Sequence, residues 1–568
     1  MPTASTKRNR KKGRDEWGAT SSAQKRRASE ETGRRGPAPP EPASAFDIPE
    51  RAWLYAAAAI LLVALVLRVY ALDLKPLHHD EGVNGFFLTN LLRQGHYAYD
   101  PENYHGPTLY YLTLPFVALT GLHTVVIRLV PSLFGVGVVW LVLALRRYVG
   151  AVAALVAALL VAVSPACVFY SRYFIHETPF VFFTLGLVVC ALRFRETGAP
   201  SDLLLASASA ALMFATKETA FISAGTLGLA WLTAVLWERI HGGGGRNRYA
   251  SAAVEPEGGF ASLWGDRGVG GFGGLIAGRA MPTALALAVV LFAFIWVAFY
   301  SSFFTHWQGV ADSFKAFAVW RKTGMSEFHA KPWYTYVEWL VQEDAAVLVL
   351  GTFGALVALF ERRLNRFAVF FAAWGFGLLV AYSVISYKTP WLVLSFLVPL
   401  AVAAGYLVQA FGASVSRVPA KSLRAAAVLA ATAASFGLYH TYVINFVEYD
   451  DDRHPYVYSQ TRREFQDLVR EIERAGARAG TKQPGVATAS PEYWPSPWYF
   501  RDNPNAGYEG QLASYYDPQK TLAIIGREDQ LPQLERVAGG TYTRVGGIYP
   551  LRPGVNLVLF VRRDLASK

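Results

Sequence analysis

The sequence predicts an all-α polytopic membrane protein with about 11 transmembrane helices and a small C-terminal extracytoplasmic α/β domain. The chain of 568 residues is 53% hydrophobic and only 17% charged. Its apolar residues lie in runs of roughly 17 to 25, which is the length that crosses a bilayer as a helix. Residues 446–568 have the mixed composition of a soluble domain. We therefore divide the chain into an N-terminal tail, 1–50, a transmembrane domain, 51–445, and a C-terminal domain, 446–568.

The N-terminal tail is polar, basic and rich in Pro, Ser and Ala. Its first 36 residues hold 11 Lys or Arg residues against 4 Asp or Glu residues. We expect a disordered segment on the cytoplasmic side, because positive charge beside a first span is retained there. The formal net charge of +12 does not indicate nucleic-acid binding, since the basic residues lie mostly between the apolar runs that would contact membrane lipids.

The predicted spans alternate in direction, so that basic residues lie on the inner side at every turn. The apolar segment 108–122 is interpreted as a helix lying in the outer interface, because counting it as a span would place Arg146 and Arg147 outside. The long connections are an outer loop 73–124, an inner Gly-rich loop 238–280 and an outer loop 301–344. The predicted spans are 53–72, 125–145, 149–166, 178–194, 202–216, 219–237, 281–300, 345–360, 366–385, 390–411 and 425–444.

The segment 77–84 (LHHDEGVN) places two adjacent carboxylates, Asp80 and Glu81, near the start of the first outer loop. Acidic side chains beside a membrane are costly to keep unless they have a function. Such a pair can take a proton from a substrate hydroxyl, or hold a divalent cation such as Mg²⁺ or Mn²⁺ through its oxygen atoms. A solvated loop explains the same residues, so both interpretations stay open.

Further polar clusters fall on the predicted outer side, at the ends of several spans. Lysine and arginine side chains there can hold a phosphate or pyrophosphate as a charged clamp. The alternative is that these cations extend to the membrane surface and that the acids pair locally, Glu177 with His176 and Glu218 with Lys217. The candidate substrate-binding residues are His79, His105, Arg172, His176, Glu177, Lys217, Glu218, Tyr387 and Lys388.

The C-terminal domain shows helical periodicity with mixed charge over 461–477. Residues 521–525 and 555–561 are predicted to form buried strands, with a helix over 527–537 between them. The aromatic segment 494–499 (WPSPWY) has two interpretations. It could bind sugar by stacking, or it could pack the domain onto the membrane face.

Short motifs occur in the order HHDEG at 78–82, YHGP at 104–107, KET at 217–219 and SYKTPW at 386–391. This combination resembles the GT-C glycosyltransferases and, within them, the dolichyl-phosphate-mannose protein mannosyltransferase group. It is most similar to a family of archaeal and bacterial membrane proteins named for an association with flippase activity and linked to protein N-glycosylation. The resemblance covers roughly residues 50–450, and LRPGV at 551–555 extends it into the C-terminal domain.

The resemblance implies a GT-C-like fold and a sugar donor linked to polyprenyl phosphate, in an archaeal or bacterial plasma membrane. The acceptor would be a protein hydroxyl, a lipid-linked glycan or another lipid. Asp80 matches the first-loop acid of the family and would act as general base in an inverting displacement. Glu81 would orient the acceptor or aid a metal.

The resemblance further implies that Lys388, with Arg172 or Lys217, stabilises the departing phosphate, and that His105 is structural or faces the substrate. Two other functions stay open. The chain could move lipid-linked sugars across the membrane or assist a flippase, although a transporter typically carries polar residues near the bilayer midplane on broken helices. It could also bind a sugar lipid without catalysis, and only loss of activity on altering the carboxylates separates that case from an enzyme.

Overall fold

The structure is a computed structural model that describes residues 48–103, 105–241, 280–324, 330–361, 365–415 and 418–566. Most of the predicted cytoplasmic tail and of the Gly-rich inner loop lies outside the described residues. Tyr104, the first residue of the YHGP motif, also lies outside them. The part from residue 48 onwards forms one compact unit.

The transmembrane domain is a bundle of α-helices with apolar side chains on its outward surface, such as Leu62 and Leu229. Its helices are α1 Glu50–Val69, α2 His79–Gln94, α3 Thr108–Thr120, α4 Thr124–Ala144, α5 Arg146–Val149, α6 Ala151–Val163, α7 Pro165–Ser171, α8 Glu177–Thr197, α9 Pro200–Thr216, α10 Ala220–His241, α11 Ala280–Tyr300, α12 Gln308–Gly324, α13 Thr335–Glu343, α14 Ala345–Phe360, α15 Arg366–Val384, α16 Val393–Val415 and α17 Pro419–Tyr442.

Each predicted span coincides with one of these helices, so the polytopic membrane fold is confirmed. Among the described residues, eight helices are long and apolar enough to cross a membrane, and two bent pairs raise that number to ten. The pairs are α6 with α7, bent by 57°, and α13 with α14, bent by 113°. The remaining predicted span is α9, whose 17 residues lie at the short end of the spanning range of about 17 to 25.

The segment 108–122 forms helix α3, which has 13 residues. At about 1.5 Å per residue such a helix is roughly 20 Å long, which is less than the ~30 Å hydrocarbon core of a bilayer. Helix α3 is therefore too short to cross a bilayer on its own. This agrees with the prediction that the segment lies along the membrane surface.

The two ends of the bundle differ in charge and in covering. At one end, ion pairs join helix starts and helix ends, such as Arg146 to Glu50 at 2.7 Å and Arg193 to Asp202 at 3.1 Å. The other end is formed by the last turns of α1 and α9 and the first turns of α2 and α8. The C-terminal domain contacts this second end, which we call the capped end.

The C-terminal domain contains a five-stranded mixed sheet in the order β2-β1-β3-β5-β4. Strands β1, β2 and β3 are parallel, whereas β5 is antiparallel to both β3 and β4. The core lies where Phe465, Leu468 and Ile472 pack against the sheet. Its elements are α18 Glu464–Arg478, β1 Val486–Thr488, α19 Ser496–Tyr499, β2 Ala506–Tyr508, β3 Ala523–Arg527, α20 Leu531–Ala538, β4 Tyr542–Arg552 and β5 Val555–Arg562.

The predicted α/β class of this domain is confirmed, and its two predicted helices and two predicted strands correspond to α18, α20, β3 and β5. The sequence did not predict β4, which is the longest strand of the sheet. Two glycines and a proline interrupt its alternation of apolar and polar residues, and the pairing with β5 shifts register between Val545 and Tyr549. A bulged strand of this kind carries a weak period-2 signal.

Candidate active site

The HHDEG motif forms the N-terminus of α2 through a capping box. The side chain of His78 accepts a hydrogen bond from the backbone N–H of Asp80 at 3.1 Å, and the Glu81 carboxylate accepts one from the backbone N–H of His78 at 2.9 Å. Both acids therefore lie in the first helical turn, where the partial positive charge of the helix N-terminus stabilises negative charge. The two neighbouring carboxylates point into different surroundings.

Glu81 is fully buried and paired with Arg128 of α4. Its two carboxylate oxygens accept hydrogen bonds from Arg128 Nε at 2.7 Å and Nη2 at 2.6 Å, and also from the backbone N–H groups of Phe174 and His78, each at 2.9 Å. Burial disfavours the charged carboxylate, but the pairing with Arg128 outweighs it and the pKa of Glu81 is lowered. Glu81 is thus an anchor for the first loop.

Arg128 uses its remaining N–H donors on the same loop. Nη1 donates to the backbone carbonyls of Leu72 at 2.7 Å and Lys75 at 2.9 Å, and Nη2 donates to that of Pro76 at 3.1 Å. With the two bonds to Glu81, all five guanidinium donors are satisfied. This one side chain therefore fixes the loop that leads into α2.

Asp80 is the accessible acid of the pair, with 39% of its side chain exposed. Groups from two other parts of the chain lie around it. Tyr387 follows α15, and Arg552 ends strand β4. Burial and the charge of Asp80 raise the pKa of Tyr387 to about 12, so the phenol stays protonated and can donate a hydrogen bond. The Asp80 charge also acts on Arg552, whose pKa is lowered by burial and partly restored by the carboxylate.

A second polar cluster lies at the same end of the bundle, around the start of α3 and the turn between α9 and α10. His105 Nδ1 lies 2.9 Å from Glu218 Oε2, and the His105 ring lies 4.9 Å from the ring of His176. His176 Nε2 in turn lies 3.1 Å from the carbonyl oxygen of Gly106. Burial disfavours a charged Glu218, but His105 and Lys217 outweigh it and lower the pKa of that carboxyl.

Lys217 forms a buried ion pair with Glu177, the first residue of α8. The charge of Glu177 outweighs the burial of the ammonium group, so the pKa of Lys217 is raised. The acids do pair, but with other partners than the sequence suggested: Glu177 binds Lys217, and Glu218 binds His105. The charges of Lys217 and Glu218, like that of Asp80, act on Tyr387, so this tyrosine lies within electrostatic range of both the second cluster and Asp80.

Two predicted members of the phosphate clamp instead close helix ends. Arg172 donates to the carbonyls of Leu67, Arg68, Tyr70 and Ala71 at the end of α1, at distances of 2.5–3.4 Å. Lys388 donates to the carbonyls of Ser383 and Ile385 at the end of α15, at 3.0 and 2.5 Å. Both residues are buried. Their donors satisfy carbonyls that a helix end leaves without partners.

The C-terminal domain rests directly on helix α2. A Cβ atom at Gly82 would lie 2.7 Å from Pro495 Cβ, and one at Gly85 would lie 2.6 Å from Trp498 Cε3. These distances are shorter than van der Waals contact, so glycine is needed at both positions for the domain to approach this closely. Trp498 is buried and donates from Nε1 to Thr124 at 3.3 Å. The packing interpretation of the WPSPWY segment therefore holds for Trp498.

Trp494 of the same segment occupies a different position, partly exposed at the start of α2. Its ring centroid lies 6.2 Å from that of His79 and 6.0 Å from that of Phe86. Arg552 Nη1 lies 3.4 Å from His79 Nδ1, and Arg552 is ion-paired with Glu492. The C-terminal domain thus supplies an aromatic ring and a charged pair to the surroundings of His79 and Asp80.

The two acids of the motif do not fit a shared divalent cation. Both oxygens of Glu81 already accept two N–H donors each, and a guanidinium group supplies half of them. Within the described ranges, no group of three or more His, Cys, Asp or Glu side chains is placed to hold a metal ion. We therefore derive no step through a metal.

Sequence analysis assigned no site role to Arg128 or to Arg552, although Arg552 belongs to the LRPGV motif at 551–555. Arg128 is an isolated arginine inside the apolar run of α4, and an ionisable residue in such a run is by itself a signal of function or of a buried partner. Arg552 lies 472 positions beyond Asp80, at the end of a strand that the sequence did not predict. No local pattern connects it to the first loop.

Comparison with known proteins agrees with this architecture. The family model "Dolichyl-phosphate-mannose-protein mannosyltransferase" matches residues 104–244, which include the HGP and KET motifs and the second polar cluster. The match covers about a quarter of the chain. No curated protein matches the sequence significantly.

Solved structures extend the comparison to nearly the whole chain. The crystal structure of ArnT from Cupriavidus metallidurans bound to undecaprenyl phosphate aligns with a TM-score of 0.58 at 14% identity, covering 91% of this chain and 99% of that one. The fold is GT-C-like. The apo Archaeoglobus fulgidus oligosaccharyltransferase aligns with a TM-score of 0.50 at 12% identity, covering 84% of this chain and 70% of that one. The resemblance found in the motifs is thereby confirmed at the level of the fold.

Proposed function

We propose that this chain is a membrane glycosyltransferase that moves a sugar from a polyprenyl-phosphate donor to an acceptor hydroxyl, with Asp80 as general base. The observation that carries the proposal is the difference in burial and bonding between the two acids of the HHDEG motif. Glu81 is fully buried and bonded on both oxygens, whereas Asp80, one residue earlier, presents an accessible carboxylate. Glu81 anchors the first turn of α2, and Asp80 on the same turn can reach a substrate.

The proposed reaction is a single displacement at C1 of the donor sugar. Asp80 takes the proton of the acceptor hydroxyl as the acceptor oxygen attacks C1 of the donor sugar. The bond between C1 and the phosphate oxygen breaks, and the polyprenyl phosphate leaves with the electron pair. Attack opposite to the leaving group inverts the configuration at C1. Positive charge that develops on the sugar is stabilised by the nearby carboxylate.

We assign the donor phosphate to the side of the second polar cluster. The charges of this cluster and of Asp80 both act on Tyr387, and its protonated phenol can donate to a phosphate oxygen. Lys217 keeps its charge there, and His105 and His176 add imidazole groups at the same end. Arg172 and Lys388 are left outside the donor site, because both are buried and the Arg172 Nη atoms and Lys388 Nζ donate to backbone carbonyls.

The comparisons support the donor class. The ArnT structure is named for bound undecaprenyl phosphate, and the matching family is named for dolichyl-phosphate-mannose. The acceptor is a protein, a lipid or a glycan. We place the capped end outside a plasma membrane, because the opposite end of the bundle carries basic residues such as Arg146 and Arg193, as the positive-inside rule predicts for a cytoplasmic face.

Transfer of labelled sugar from polyprenyl-phosphate donors to membrane acceptors tests the proposal, with Asp80→Asn compared to the wild type. We expect a loss of about 100- to 10,000-fold at unchanged expression and donor binding, which is the usual contribution of a general base. Equal activity in both proteins would remove Asp80 from the mechanism. Absence of transfer with every donor, together with movement of the lipid-linked sugar across the membrane, would favour the flippase instead.

A further inference from the structure

The C-terminal domain places three different side chains around His79, the residue that precedes the accessible acid Asp80. Arg552, the last residue of β4, pairs with Glu492 and approaches His79 to 3.4 Å. The ring of Trp494 is tilted by 59° against that of His79, with the ring centroids 6.2 Å apart. We propose that Trp494, Glu492 and Arg552 form a carbohydrate-binding subsite next to Asp80, an inference that rests on the proposed sugar transfer.

The chemistry of the three groups fits a sugar ring. A hexopyranose has an apolar C–H face, which suits the face of an indole ring, and a rim of hydroxyls that both donate and accept. The Glu492 carboxylate accepts hydrogen bonds, and the Arg552 guanidinium donates them in a fixed plane. The indole ring of Trp494 is partly exposed, and 39% of the Glu492 side chain is exposed.

The charge balance argues for a neutral ligand here. Arg552 and Glu492 neutralise each other, and burial lowers the pKa of His79 to about 4, so that imidazole is uncharged near neutral pH. The remaining charge close by is the carboxylate of Asp80. A phosphate would be repelled at this position, whereas sugar hydroxyls would not.

Backbone contact fixes the subsite relative to the acid. Pro495 rests on Gly82, and Trp494 Cε3 lies 3.3 Å from where a Cβ of Gly82 would stand. Gly82 is three residues after His79 on the same helix, so the two residues share a face of α2. The indole ring is therefore held in the first turn of α2 beside His79, the residue that precedes Asp80.

The sugar bound here belongs either to the donor or to an acceptor glycan, and the two share the same chemistry. Three probes distinguish them when their affinities for the full-length protein in lipid nanodiscs are measured. Undecaprenyl phosphate carries no sugar, undecaprenyl phosphomannose carries the sugar of a donor, and an undecaprenyl pyrophosphate disaccharide represents a lipid-linked acceptor.

We expect Trp494→Ala to weaken binding of one sugar-bearing probe by about tenfold, as the loss of a well-placed aromatic contact does, and to leave undecaprenyl phosphate unaffected. Glu492→Gln should weaken the same probe. Tyr515→Ala is the matched control, since this aromatic residue of the same domain is 68% exposed and lies outside the subsite. Unchanged melting temperatures would show that each variant is folded.

A loss on the phosphomannose probe assigns the subsite to the donor, and a loss on the disaccharide probe assigns it to the acceptor. Equal affinities of wild type and Trp494→Ala for both sugar probes would overturn the subsite, even if sugar transfer by the wild type were established. An equal loss on all three probes would also overturn it, because Trp494 would then only support the helix that bears Asp80. Failure of the wild type to bind any probe would reject the proposed donor class and the subsite with it.

Discussion

Substitution of Glu81 by glutamine separates the anchoring acid from the reacting acid. Each Glu81 oxygen accepts two N–H donors, so an amide nitrogen on either side would face donors instead of acceptors. The charge of Arg128 would also lose its partner inside the protein. Breaking a buried pair in this way typically costs about 3–5 kcal/mol, which is on the order of 10² to 10⁴ in the unfolding equilibrium.

Asp80→Asn is the matched comparison, because the Asp80 side chain is 39% exposed and such sites usually change stability by less than about 0.5 kcal/mol. Unfolding by SDS in mixed micelles, followed by tryptophan fluorescence, measures both variants. We expect Glu81→Gln to unfold at much lower SDS and Asp80→Asn to match the wild type while losing activity. The reasoning fails if Glu81→Gln is as stable as the wild type, or if both variants are destabilised alike.

A double-mutant cycle sharpens this test. Arg128→Met alone leaves the charge of Glu81 buried without a partner. Glu81→Gln alone leaves the charge of Arg128 buried without a partner. The double variant removes both charges, and we expect its destabilisation to fall well short of the sum of the two single changes. Recovery should stay incomplete, because three loop carbonyls lose the guanidinium that they bind. Simple additivity would show that the pair is not coupled.

Two further predictions concern docking and pH. Gly85→Ala forces a Cβ to within 2.6 Å of Trp498 and should lower the stability of the protein by about 1–3 kcal/mol through overpacking. Gly228→Ala is the control, since it has open space around it and should not change the stability. Equal melting temperatures for the two variants would contradict the docking contact. Hydrogen bonds to Glu343 and Glu448 raise the pKa of His454 from its ordinary 6.5 to about 9. The stability that the charged imidazole contributes is therefore complete below about pH 6.5 and is lost as the pH rises through about 9. The melting temperature of the wild type should fall over that interval more than that of His454→Gln, and parallel curves would refute this.

The membrane architecture could be predicted because span length and loop charge are local properties of the sequence. Each predicted span is a helix, and the interfacial interpretation of 108–122 agrees with the shortness of α3. The bends within the two bent pairs were not predicted, since neighbouring helices determine where a short apolar run bends. Strand β4 was missed because a bulge interrupts its pattern.

The importance of the HHDEG motif was also visible in the sequence, but the separate roles of its acids were not. The capping box has histidine where serine or threonine usually stands, which hid the helix start from a pattern search. The partner of Glu81 is 47 positions away in a span. For Arg172 and Lys388 the sequence shows a cation near a helix end, and only the structure shows that each side chain donates to the backbone carbonyls of a helix end. The catalytic role of Asp80 stays a prediction.

The close packing of the C-terminal domain on α2 joins residues that are synthesised at very different times. The hydrogen bond from Leu77 to Tyr499 joins residues 422 positions apart, and the contact of His79 with Arg552 joins residues 473 positions apart. At about 5–20 residues per second, a ribosome needs roughly 20 to 95 seconds to make that length of chain. The first loop therefore leaves the ribosome well before the segments that it contacts in the folded protein. A nascent chain that stops before Arg552 carries Asp80 without the C-terminal side chains that surround His79, so the surroundings of Asp80 become complete only after Arg552 has been synthesised.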